Sequence, residues 1–127
     1  MKVKCENLIN PITGMREETS SWLTIGKTYL VLSVYAFVGR DLMLRLIGDD
    51  PNTPILVNAR QFETTCIQMP SNWRAIIDDK GNFQLTPEPW SKRGFWESYF
   101  NGEHAAEQLF IQELRKIETE DAYPLSA

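Results

Sequence analysis

The apolar positions of this chain change rhythm once. Up to residue 85 they come in short runs rich in β-branched and aromatic side chains, broken by turn formers. After residue 89 they recur every three or four positions. The first pattern predicts strands and the second helices.

The longest run, 29–38, reads as a long strand, with Ser33 inside it. Gly39-Arg40-Asp41 is a turn, and 42–47 is the antiparallel partner. Gly48-Asp49-Asp50-Pro51-Asn52-Thr53-Pro54 is a loop, because Asp, Asn and Pro each favour turn geometry. Shorter strands are predicted at 55–57, 62–69, 73–77 and 83–85, and a lead strand at 2–5. Asp78-Asp79-Lys80-Gly81-Asn82 makes a hairpin loop, with Gly81 free to take positive φ. Thr86-Pro87-Glu88-Pro89 cannot continue a central strand.

Ser91 is positioned to cap a helix. Phe95, Trp96, Tyr99 and Phe100 then fall on one helical face, and Asn101-Gly102 ends that helix in a left-handed cap. The run 103–118 is the clearest helix, with Ala106, Phe110, Leu114 and Ile117 in one stripe. Trp96, Phe100, Phe110 and Leu114 are the expected packing surface between helices and sheet. Residues 121–127 read as a tail. Strands first and helices last predict an α+β fold. The expected form is a curled antiparallel sheet or small barrel over residues 22–85, followed by two C-terminal helices within 91–119. With 127 residues, the whole chain, 1–127, is expected to be a single domain.

Charge alters this picture through its distribution. The net charge is −4. Residues 1–60 carry seven basic and six acidic side chains, whereas 61–127 carry six basic and eleven acidic ones. Nucleic-acid binders ordinarily show the opposite sign, so a nucleic-acid partner is not expected. No apolar run approaches the ~20 residues of a membrane helix, and the first residues lack the pattern of an export signal. A cytoplasmic location without membrane contact is the expectation. Cys5 and Cys66, without metal-type spacing, are then expected to stay reduced.

Catalytic chemistry is sparse. His104 is the single histidine, at the start of an amphipathic helix where a surface role is ordinary. One histidine and two distant cysteines make no zinc set, and no glycine-rich phosphate loop is present. Asp78 and Asp79 could act as acid and base only in a cleft that separates their proton affinities, and a hairpin tip is usually solvated. No cofactor, metal or enzymatic activity is expected. Trp22, Trp73, Trp90 and Trp96 are expected at the junction of sheet and helices, where large amphipathic rings bury well.

Gly26-Lys27-Thr28-Tyr29 and the alternating Val and Leu up to Val34 resemble the opening strand of small Src-homology-3-like barrels. The segment WSKRGFWESYFNGEHAAEQLFIQELRKI, residues 90–117, is similar to helical tails of small bacterial proteins. In size, acidity and lack of catalytic motifs the chain resembles immunity proteins of contact-dependent growth inhibition and related polymorphic toxin systems. That resemblance implies a one-to-one complex that masks the active site or substrate path of a cognate toxin domain, with a nuclease the expected class. Nuclease sites are basic, and acidic surfaces steer association with them. Asp49, Asp50, Asp78, Asp79, Glu103 and Glu107 are the expected partner-binding residues. The alternative is a non-catalytic binding module of a phage or bacterial assembly, reading peptide or nucleic acid through Trp73, Trp90 and Arg93. A third reading is an enzyme whose site is assembled from scattered carboxylates.

Overall fold

A computed structural model of the chain describes residues 1–122. The expected tail at 121–127 falls mostly on residues 123–127, outside the described residues. Its first two residues, Asp121 and Ala122, belong to the last helix.

The fold is α+β. Strands β1 (Lys2–Cys5), β4 (Thr28–Ala36), β5 (Met43–Ile47), β6 (Pro54–Asn58), β7 (Phe62–Cys66), β8 (Trp73–Ile77) and β9 (Phe83–Pro87) form one sheet. A small ribbon, β2 (Leu8–Ile9) and β3 (Arg16–Glu17), stands apart. Helices α1 (Phe95–Phe100) and α2 (His104–Ala122) follow. Every strand pairing is antiparallel. The sheet does not close into a barrel, because its edge strands β6, β7 and β8 do not pair with one another. Of the two expected forms, sheet or small barrel, the open sheet is the one found.

Strand β4 organises the sheet. Along one edge it pairs with β5, from Val31↔Leu46 to Tyr35↔Met43. Along the other it pairs first with β1 through Thr28–Leu30 and then with β9 through Val34–Ala36. Leu32 and Ser33 lie in the gap between those two partners. A register shift against β5 falls at the same place, the signature of a bulge. The indole of Trp73 donates to the Leu32 carbonyl at 2.9 Å, and the hydroxyls of Ser33 and Thr86 bond each other at 2.8 Å.

The bulge divides the core into two layers. Val31, Val34, Leu44 and Leu46 face one cluster with Val3, Tyr29 and Trp73. Leu32 faces the other, with Trp90, Phe95, Ala106, Phe110 and Ile117 from the helical half. Trp90 is 1% exposed and stacks on Phe110 at 5.0 Å. It is the most deeply covered of the four tryptophans, because the 3-10 turn Glu88–Ser91 tucks it under α2.

Several local expectations are corrected. Strand β9 runs through Pro87, because Pro87 pairs only with Trp73 at the outer edge and needs no donor to a central neighbour. Gly94, at φ +80°, precedes α1 in the cap position, whereas the Ser91 hydroxyl donates to the Glu88 carbonyl. Phe100 is 54% exposed and does not pack on the sheet, although Phe110 does. Trp22 is also exposed. The α1 terminus forms as expected: Gly102 at φ +78° donates to Tyr99 O and Glu103 to Ser98 O, the paired bonds of a Schellman cap.

Helix α2 is seated at its far end by polar contacts. The Ser71 amide and hydroxyl donate to the Glu120 carboxylate, Asn72 donates to Glu113 O, and Lys2 pairs with Asp121 at 3.0 Å. Both cysteines are free. Lys2 stands opposite Cys66 in the β1–β7 register, which leaves Cys5 roughly 10 Å along the strand. That separation is beyond disulfide reach.

Candidate functional site

The six carboxylates expected to bind a partner go to four places. Asp49 follows β5 and is consumed by its own fold. Its carboxylate accepts from Lys27 Nζ at 2.9 Å, Thr24 Oγ1 at 2.8 Å and Tyr29 Oη at 2.8 Å. Burial pulls its pKa up, but hydrogen bonds from Lys27, Thr24 and Tyr29 outweigh it and hold the group below its ordinary value. Tyr29 is pushed the other way, to about 12, first by burial and then by the carboxylate it serves. This network fastens the 22–29 segment to the end of β5.

Asp78 is exposed, but its carboxylate is engaged within its own hairpin. It accepts from the side chain and backbone of Asn82 and from the Lys80 amide, and these bonds lower its pKa. Asp79 beside it is exposed. The hairpin lies against the β4–β5 turn, where the Val38 amide donates to Asn82. Asp49 sits at the opposite end of β4. That strand spans nine residues, so the two aspartate loops are separated by roughly 25 Å. They do not form one acidic patch.

Glu107 and the β5–β6 loop that carries Asp50 do come to one feature. A cleft of about 560 Å³ runs between the β5–β6 loop and the helices, lined by Pro51, Asn52, Phe100, Glu107 and Ile111. Phe100 is 54% and Ile111 42% exposed, so the wall offers apolar surface to solvent. Glu107 lines it, whereas Asp50, exposed and next in the chain to Pro51, is not among the lining residues. Asp50 accepts from the Asn52 amide, which shapes the loop. Among the described residues Asp50 and Glu107 form no ion pair. Glu103 faces a different recess, of about 550 Å³, shared with Arg93 and Leu109.

The cleft was only partly visible in the sequence. Its acidic members stood out by charge, but Phe100 read as core, and Ile111 lies off the predicted stripe. The signal for Ile111 was its place one turn after Glu107, which sets both on one side of α2. Of the residues that the alternative, a peptide or nucleic-acid reader, relies on, Trp73 is 7% and Trp90 1% exposed, and Arg93 is on the surface. His104 is exposed. Among the described residues no cluster of three or more His, Cys, Asp or Glu could hold a metal, and no helix is long and apolar enough to cross a membrane. In comparison with known protein families, curated proteins and solved structures, the chain matches none.

Proposed function

We propose that the protein is a non-catalytic inhibitor of the immunity type, which binds a basic toxin domain in the cytoplasm of the cell that makes both. One observation carries the reading: the cleft between the β5–β6 loop and α2 joins exposed Phe100 and Ile111 to the carboxylate of Glu107, unpaired among the described residues, and exposed Asp50 directly precedes Pro51 of its wall. Apolar anchors ringed by charge are the usual anatomy of a protein–protein contact. A nuclease supplies the matching basic surface, since its substrate is a polyanion.

The binding residues are accordingly narrowed. Asp50 and Glu107 contact the partner, Phe100 and Ile111 anchor it, and Glu103 lies just beyond. Asp49 supports the loop. The alternative of a peptide or nucleic-acid reader loses its aromatic residues to the core.

The test is to identify a toxin domain encoded beside this gene and to measure its binding to the purified protein. Glu107→Lys and Asp50→Lys should slow association and flatten its salt dependence, because steering acts through long-range charge. Phe100→Ala should speed dissociation. Unchanged kinetics in all three variants, with the complex intact, would place the interface elsewhere. Failure of the purified pair to associate at all would end the immunity reading.

A further inference from the structure

Arg45 is the exception on β5. It lies between Leu44 and Leu46 and is only 8% exposed. Its side chain points toward the helices, opposite Ser33 in the register. The guanidinium carbon sits 3.8 Å from the centre of the Trp96 ring, a stacking contact. Nε donates to the Tyr35 hydroxyl at 3.0 Å. Among the described residues no hydrogen bond occupies either Nη and no carboxylate lies within 4.0 Å.

A buried charge ordinarily has an opposite partner, because leaving it alone costs several kcal/mol. Here the charge opens into a cavity of about 240 Å³ between β4, β5 and the 91–97 segment. Phe37, Leu56 and Trp90 supply its apolar walls. Lys92 and Glu97 stand at the rim, and Lys92 is tied to Glu88 at 3.2 Å.

We propose that this cavity binds a single carboxylate, gripped by the free edge of the Arg45 guanidinium. The two Nη groups present parallel N–H bonds, the fork that matches a carboxylate. Stacking on Trp96 and the bond to Tyr35 hold the fork in place before any ligand arrives, which lowers the ordering cost of binding. The volume lies below the ~300 Å³ at which pockets for whole cofactors begin, so one small group fits. Glu97 at the rim opposes a second negative charge, and the walls are aromatic and aliphatic. Both features select a carboxylate with an apolar body over a phosphate dianion. The carboxylate comes either from an acidic side chain of a polypeptide or from a small organic acid. This site is separate from the cleft of the proposed inhibitor function and stands whether or not a toxin is bound.

Titration of the ¹⁵N-labelled full chain tests it, with the Trp96 indole N–H as reporter. The probes are acetate, benzoate, capped glutamate and inorganic phosphate, each against sodium chloride at matched ionic strength. Saturable shifts are expected with the carboxylates and weaker ones with phosphate. Binding of capped glutamate at least as tight as benzoate assigns the site to polypeptide side chains, and the reverse order to small acids. Arg45→Lys keeps a charge but loses the fork, and should weaken binding about tenfold or more. Because that variant touches the core, exposed Glu97→Gln serves beside it and should bind about threefold tighter, by removal of one like charge. No saturable shift in either the native chain or the Glu97→Gln protein overturns the proposal. Preference for phosphate overturns the carboxylate assignment.

Discussion

At the residue scale, two neighbours at the end of β5 show how little freedom the fold leaves there. A β-carbon on Gly48 would lie 2.5 Å from the Trp22 carbonyl and 2.8 Å from Ile55 Cδ1. The carbonyl is backbone and cannot swing away. Gly48→Ala should therefore cost about 1–3 kcal/mol by overpacking, read by urea titration. A change within noise would mean that the 22–25 segment gives way freely. Asp49 next door links stability to pH. Its folded pKa is depressed from 3.8, so its contribution is complete above the unfolded value and disappears as pH falls through the lower folded one. Tyr29 has the opposite sign: raised from 10.0 to about 12, its contribution holds below 10.0 and is lost as pH rises toward about 12. Asp49→Asn should flatten the acid limb of a thermal-stability profile taken from about pH 5 to 2. An acid limb identical to the native one would show that other carboxylates set it. Asp49 stood out in the sequence as a surface acid. Its partners Thr24, Lys27 and Tyr29 lie 20 to 25 positions away, and no local pattern announces such a meeting.

At the scale of elements, the spacing of apolar residues was a good guide to where strands and helices lie. Strand β8 and helix α1 fall at their expected limits, and β4, β5 and α2 lie within a few residues of theirs. The Asn101-Gly102 cap was legible because its dihedrals require glycine locally. The bulge of β4 was not legible. It exists because one long strand serves two successive partners, β1 and β9, on the same edge. Ser33 was visible as an interruption in an apolar run. Its match, Thr86, comes from the strand that fills the second half of that edge. Trp73→Phe probes this junction. The substitution keeps an aromatic ring but withdraws the indole donor from the Leu32 carbonyl, at a cost of about 1–3 kcal/mol in chemical denaturation. A neutral result would mean that the carbonyl finds another donor.

At the scale of the whole molecule, the arrangement of charge matters more than its sum. The excess of carboxylates in the second half was plain from composition, but they do not gather. The Asp78–Asp79 hairpin and the Asp49–Asp50 loop cap opposite ends of β4. On the proposed inhibitor function, reversing the charge of Asp79 should leave the rate of partner association nearly unchanged, while reversal of Glu107 slows it, in stopped-flow measurements at low salt. Equal effects from both would indicate that overall charge alone guides the encounter.

By itself the sequence determined what short-range physics can settle. Alternating apolar residues call for strands, three-to-four spacing calls for helices, and prolines and glycines mark where one gives way to the other. Hence the antiparallel sheet followed by two helices. The tertiary structure alone decided that the sheet stays open, that Trp90 is covered while Phe100 is bare, and that Arg45 lies in a cavity with no carboxylate beside it among the described residues. Each of these depends on which distant elements meet. Exposure and charge pairing belong to the space between elements, and spacing along a chain carries no measure of that space.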